Sequence, residues 1–241
     1  MKFDIVKTNI VNVHADAIVL PANTALKEGS GTSTAIFEAA GRKKLTQACK
    51  KIGSCDVGSA VPTLAFDLEA KYIIHAVVPK WIDGNHNEYD LLSSAYLSAL
   101  KVADIMGCTS IAFPLLASGN NGYDLDLAFQ IAKESINSFE GATLKKAILV
   151  LFGDHVASVV AKQGYEVVEI PVDLKKEAQK EAQKAKAKKF VEEGKEIAQK
   201  FLDDQIQKGL DYLKDEKNRE KIIAAGIGIA KIAFKAVKKA K

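Results

Sequence analysis

The stretch 113–124, FPLLASGNNGYD, decides how the chain is read. The apolar run SIAF leads into it and LDLAFQIAKESINSF follows, which predicts a buried strand entering a helix over 124–138. Between them, Ser118, Gly119, Asn120, Asn121 and Gly122 are small or carry amides. Either the backbone turns tightly here or something must approach it closely.

Working outward, the same strand–turn–helix grammar covers the first 170 residues. KFDIVK and DAIVLPA are short and rich in β-branched residues, as strands are. STAIFEAAGRKKLTQACKKI has apolar residues near helical spacing and is expected as one helix. SAVPTLAF and KYIIHAVV are expected as neighbouring strands, followed by an amphipathic helix ending at Gly107. KAILVLF, the helix DHVASVVAKQG and the strand YEVVEI complete the series. Apolar strands alternating with helices predict an α/β fold, a mostly parallel or mixed sheet covered on both faces. Ligands of such sheets bind beyond the carboxyl ends of the strands, which singles out three loops: 20–33, 114–123 and 152–154.

Composition changes near Leu174. Residues 174–241 hold 19 Lys+Arg against 11 Asp+Glu, a surplus of eight cations. Residues 1–173 hold 15 against 19, a deficit of four. The expected division is a domain over 1–172 and a basic, amphipathic helical extension over 173–241. That extension suits packing on its own domain or a second copy, or attachment to an anionic membrane surface. Lysine without interleaved aromatics favours nucleic acid less. No apolar run is long enough to cross a bilayer, and Cys49, Cys55 and Cys108 have no metal-like spacing. The expectation is a cytoplasmic protein, peripheral to membrane if the tail attaches there. No metal or cofactor is implied. His14, His75, His86 and His155 are expected to cluster neither together nor with the cysteines.

Two loops fit an anion. Gly29, Ser30 and Gly31 precede a helix whose early residues, Ser33 and Thr34, are good N-cap types. A helix start fronted by small residues offers unpaired N–H groups and a positive dipole end. The loop 117–122 repeats the pattern, and two such loops at adjacent strand ends suit a pyrophosphate. Neither G-x-x-x-x-G-K-[ST] nor a full G-x-G-x-x-G occurs, which argues against P-loop and dinucleotide-binding chemistry.

ADAIVLPANTAL…GSGTSTAIFEAAG, GSAVPTLAFDLEAKYIIHAVVPKW and SIAFPLLASGNNGYD resemble, in order and spacing, the macrodomain family of ADP-ribose-binding modules. The resemblance covers about residues 1–170 and implies a three-layer αβα fold that binds ADP-ribose, free or on a modified macromolecule. It implies a ligand-facing set beginning at Asn9 and Ile10, continuing through Ala22 and Asn23, with Asn23 on the distal ribose. Gly29, Ser30, Gly31, Thr32 and Ser33 would approach that ribose and the diphosphate. The backbone of Ser118, Gly119, Asn120, Asn121 and Gly122 would cradle the phosphates. Tyr123 would wall the ribose, and Phe152 would stack near adenine unless it is core packing.

Three departures bear on activity. Asn9 stands where many members have an Asp that accepts from adenine; an amide accepts without charge assistance. Leu20 and Ser33 stand where hydrolytic members have Asn and Asp, and a hydroxyl is a poor base at neutral pH. Asn23 is then the one candidate for a catalytic role. Hydrolysis of ADP-ribosyl esters or O-acetyl-ADP-ribose is the alternative to binding, and a docking module acting through its tail is a third reading. His75 reads as a core histidine, Pro79 and Trp81 as a strand end, Asp124 and Asp126 as helix openers, and Asp154 as an N-cap.

Overall fold

The computed structural model describes residues 1–170; the expected extension 173–241 and the domain boundary at 172 lie outside the described residues. A seven-stranded sheet forms the middle layer, in the order β3-β4-β2-β5-β6-β1-β7. Its strands are β1 (Lys2–Lys7), β2 (Ala17–Ala22), β3 (Ala60–Leu64), β4 (Tyr72–Val77), β5 (Ser110–Pro114), β6 (Lys146–Leu151) and β7 (Val168–Glu169). All pairings are parallel except that of the edge strand β3 with β4. Pro62 sits on that edge, where a missing N–H disturbs the ladder least.

Strand residues alternate between two cores, as a pleat requires. Ile18, Leu20, Ile73, Ala112 and Ile148 pack under α1 (Thr32–Ala39) and α2 (Arg42–Ile52). Ala17, Val19, Ile74, Phe113 and Leu149 pack under α3 (Glu88–Ile105), α4 (Leu125–Ser138) and α5 (Asp154–Lys162). Helices thus cover both faces, and the three-layer αβα expectation holds.

Two local expectations fail. The run 33–52 is two helices, because Gly41 between them has φ +86 and turns the chain. A Cβ at Gly41 would lie 2.6 Å from Asp67 Oδ2. The expected strand 165–170 shrinks to Val168–Glu169, paired with β1 alone.

What matters for a site is how β2 and β5 part. They pair only at Ala17↔Ile111 and Ile18↔Ala112, whereas β2 stays paired with β4 through Ala22. Pro21, farther along β2, has no N–H to offer a neighbour. The central strands therefore diverge toward their carboxyl ends. The loops that follow β2 and β5 flank the opening.

Candidate functional site

The loop after β2 is organised by its own side chains. Asn23 Oδ1 accepts from the Lys27 amide (3.1 Å), and Asn23 Nδ2 donates to the Lys27 carbonyl (2.8 Å), closing residues 23–27. The Gly29 amide donates to Ser33 Oγ (3.0 Å), and Thr34 Oγ1 donates to the Gly29 carbonyl (2.8 Å). The expectation that Ser33 or Thr34 caps α1 is therefore wrong. The N-cap is Gly31, at φ +58 and ψ −121, and no side chain caps the helix. Ser33 and Thr34 reach back to Gly29 instead. Among the described residues, the amides of Ser30, Gly31 and Thr32 donate to nothing. No acidic residue sits in the first turn of α1, so its positive end is uncompensated. Glu28, the nearest acid in sequence, is turned onto Arg42 by two hydrogen bonds of 2.8 and 2.9 Å.

The loop after β5 follows the same plan. Ser118 Oγ donates to the Leu115 carbonyl (2.7 Å), and Asn121 Nδ2 donates to the Pro79 carbonyl (2.7 Å). The Asn121 carbonyl accepts from the Trp81 amide (2.8 Å). The Gly122 amide closes onto the Gly119 carbonyl (3.1 Å). Among the described residues, the amides of Ser118, Gly119, Asn120 and Asn121 have no acceptor. Asn120 Nδ2 donates to Ser30 Oγ (2.9 Å), which ties this loop to the other across the cleft. Seven unengaged N–H groups thus occupy two cross-linked loops, one of them at a helix start. That is a diffuse positive field that a multiply charged anion can satisfy through several donors at once.

The glycines here differ in why they are glycines. Gly31 and Gly122 have positive φ, which a side chain resists. Gly119 has no positive φ and, among the described residues beyond its chain neighbours, no atom within 4 Å of where its Cβ would sit. Nothing in the fold requires a glycine at 119.

The remaining expected site residues fall into distinct places. Phe152 directly follows β6 with 73% of its surface exposed, so the core-packing reading is overturned. Asn9 caps a single 3-10 turn, its Oδ1 accepting from the Val11 amide (3.2 Å); Ile10 is buried within that turn. Ala22 is buried at the end of β2, and Leu20 lies in the core with no polar atom to offer. The Tyr123 ring is buried edge-on against Trp81, centroids 5.1 Å apart, and its hydroxyl donates to the Glu88 carbonyl (2.7 Å). Burial and the nearby Glu88 charge push that phenol up to about 12. Asp124 caps α4, accepting from the amides of Asp126 and Leu127, as expected of a helix opener. Asp154 is not an N-cap: Gly153 is, and Asp154 pairs with Lys7.

Sequence reasoning missed the loop after β4. Glu88 is 1% exposed, yet it is an anion. Burial pushes its carboxyl up, but backbone amides outweigh that and hold it near 2. Its Oε1 accepts from Ile82, Asp83 and Gly84, and its Oε2 from His86. Asp83, His86 and Glu88 converge as cation ligands would, but Glu88 Oε1 already accepts three N–H bonds and Oε2 one. The carboxylate anchors a loop that Asn121 also holds. The signal was present as an acid at the start of a helix after Gly and Asn, but such acids usually face solvent.

One expectation about cysteines also needs correcting. His75 Nε2 lies 3.9 Å from Cys49 Sγ and 3.0 Å from Thr63 Oγ1, all buried. Histidine and cysteine do meet, although a pair does not make a zinc site. Burial raises all three free thiols above their ordinary range.

Comparison with known proteins adds the family. A family model described as Macro domain matches residues 19–132. A macro domain-containing protein of Caldanaerobacter subterraneus subsp. tengcongensis is 42% identical over 165 residues, covering 67% of this chain and 94% of that protein. The O-acetyl-ADP-ribose deacetylase of Escherichia coli (strain K12) is 39% identical over 142 residues, covering 57% of this chain and 80% of that protein. Among solved structures, the Oceanobacillus iheyensis macrodomain with ADP aligns with a TM-score of 0.62 and 30% identity, covering 66% of this chain and 87% of that one. The Trypanosoma brucei macrodomain in complex with ADP-ribose aligns with a TM-score of 0.61 and 28% identity, covering 68% and 69%.

Proposed function

The chain belongs to the macro domain family, and from that premise we propose that it binds ADP-ribose, free or attached to a macromolecule, across the cleft between β2 and β5. The observation that carries this is Gly119. Its missing side chain serves no turn and relieves no clash, so its use is to admit a ligand between the two sets of amides. The diphosphate lies over the amides of residues 30–32 and 118–121. Phe152, exposed at the neighbouring strand end, offers its ring to the base. Asn23, though engaged with Lys27, keeps one amide hydrogen and one lone pair for a ribose hydroxyl.

Calorimetric titration of the full chain with ADP-ribose, beside Gly119→Val, tests this. The expected result is saturable binding to the native chain and about a hundredfold weaker binding to the variant, with the same melting temperature. Among the described residues, a Cβ at 119 would meet nothing within 4 Å beyond its chain neighbours, so the added side chain stands in the ligand's volume. Equal affinity in both, or no binding at millimolar ligand, overturns the proposal.

A hydrolytic reading draws on relatives named O-acetyl-ADP-ribose deacetylase. It lacks a base here. Among the described residues, the only polar partner of the Ser33 hydroxyl is the Gly29 amide, which it serves as acceptor. Leu20 brings no polar group. We expect O-acetyl-ADP-ribose to be bound and left intact over hours; clearance would replace the binding reading with turnover. The three unpaired cysteines fit a reducing cytoplasm, and the basic charge of 174–241 fits attachment to an anionic surface or a second copy.

A further inference from the structure

The carboxyl ends of β1 and β6 lie next to β5 in the sheet, beside the anion loops. The two strands pair in parallel to their ends, Lys7 opposite Leu151, and the Thr8 amide donates to the Leu151 carbonyl (3.1 Å). Asn9 and Phe152 therefore leave the sheet side by side, the ring mostly exposed and Asn9 half-buried. An exposed aromatic face stacks on any base and does not tell one from another. Choice among bases falls to hydrogen-bonding groups beside the ring, and here that group is Asn9.

One end of the Asn9 amide is already used. Its Oδ1 accepts from the Val11 amide at 3.2 Å. An N–H can be met only by the oxygen, so this bond settles which end of the amide is which. Nδ2 is the end turned away from Val11. Among the described residues it donates to nothing, and unlike Asn12 Nδ2 it is not sealed from solvent. The side chain is left with two hydrogens against one lone pair. The Ile10 amide, next along the chain, likewise has no acceptor among the described residues. The acids beside these strand ends are engaged: Lys7 holds Asp154 at 2.5 Å and Glu169 at 3.1 Å. Closing the turn does not by itself ask for an amide, since Asp, Ser or Thr supplies the same acceptor. What Asn adds is the outward donor.

Adenine and the 6-oxopurines differ at the place such a donor reads. Adenine carries an amino donor at C6 beside the N7 acceptor, whereas a 6-oxopurine such as guanine or hypoxanthine carries two neighbouring acceptors, O6 and N7. An adenine amino group set against Nδ2 brings N–H against N–H; a 6-oxygen accepts. Granted the binding proposed above, we propose that the preferred ligand of this cleft is a nucleoside-diphosphate-ribose with a 6-oxopurine base, and that Asn9 selects it by donating from Nδ2 to O6. ADP-ribose enters the same cleft through the same diphosphate cradle, without that bond.

Calorimetric titration of the full chain with ADP-ribose and with inosine diphosphate ribose, its analogue bearing oxygen in place of the 6-amino group, tests this. The native chain should bind the analogue about tenfold more tightly, the worth of one well-placed hydrogen bond. Asn9→Asp keeps an acceptor for Val11 and sets a second oxygen where Nδ2 stood. It should reverse the order, with ADP-ribose about tenfold tighter than the analogue. The ratio of the two affinities within one protein cancels any general effect of the substitution on the fold. Binding of ADP-ribose to the native chain as tightly as the analogue overturns the proposal and leaves the binding reading standing. A preference for the analogue that Asn9→Asp does not change also overturns it, because the choice would then belong to another group. Saturation by neither ligand at millimolar concentration removes the binding reading itself, and this proposal with it.

Discussion

Lowering the pH from 7 to 5 should destabilise this domain through one residue. His75 is fully buried in β4, with Thr63 Oγ1 at 3.0 Å from Nε2, and its Nδ1 has no partner among the described residues. Burial depresses the imidazolium pKa to about 4. Protonation would also place an N–H at Nδ1 with nothing to accept it. In the unfolded chain the same ring ionises near 6.5. Between those values the unfolded state binds a proton that the native state refuses, so stability is complete above about pH 6.5 and falls as pH drops toward 4. At pH 5 the unfolded ring is almost wholly charged and the native ring about one-tenth charged, a difference of roughly 1.5 pH units or about 2 kcal/mol. With a urea m value of roughly 2 kcal/mol/M, the unfolding midpoint should drop by about 1 M between pH 7 and pH 5. Asp16, Glu88 and Asp104, each held at about 2, also lose stabilising effect on acidification, chiefly below the ordinary carboxylate range. The assay is urea unfolding followed by circular dichroism at both pH values, for the native chain and for His75→Gln. The variant keeps a polar group for Thr63 but cannot titrate, so its midpoint should move little. Equal pH shifts in the two proteins would refute the reasoning.

Three further predictions concern the loops and helices. Ser33→Ala leaves the Gly29 amide without its acceptor; about 1 kcal/mol of loop order should be lost, read calorimetrically as roughly fivefold weaker ADP-ribose binding. Tyr123→Phe removes the bond to the Glu88 carbonyl and should cost about 1 kcal/mol in chemical unfolding while ADP-ribose affinity stays within twofold. A large affinity loss would instead place the hydroxyl on the ligand. Gly41→Ala strains a φ of +86 and sets a methyl against Asp67 Oδ2; differential scanning calorimetry should register a loss of about 1–2 kcal/mol.

How much of this was legible in the residues varied with what each residue does. Strands β1, β2, β4 and β6 were readable almost to the residue, because strands covered on both faces are continuous apolar runs such as YIIHAV and KAILVL. The break at Gly41 was not, since apolar positions keep helical spacing across it; only the left-handed φ and the approach of Asp67 explain it. Positions of the candidate loops were readable from small residues after strands. What the side chains within them do was not: Ser33 looks like a cap and serves as a brace, and Asn23 spends its amide on Lys27. The Glu88 anchor, 35 residues from Tyr123, is a tertiary arrangement that no local pattern carries.

That mismatch points to how the site is built. Nearly every polar side chain in the two loops is used inside the protein: Asn23 on Lys27, Ser33 and Thr34 on Gly29, Ser118 on Leu115, Asn121 on Pro79, Asn120 on Ser30. Their work is to satisfy loop carbonyls and amides that would otherwise compete, and to hold the turns open. The groups left over are backbone N–H donors, which have no sequence identity. Such a surface tolerates changes of side chain as long as the braces and the bare glycine persist. Leu20 and Ser33 therefore leave the unengaged amides of both loops in place, and the proposed binding needs no catalytic base.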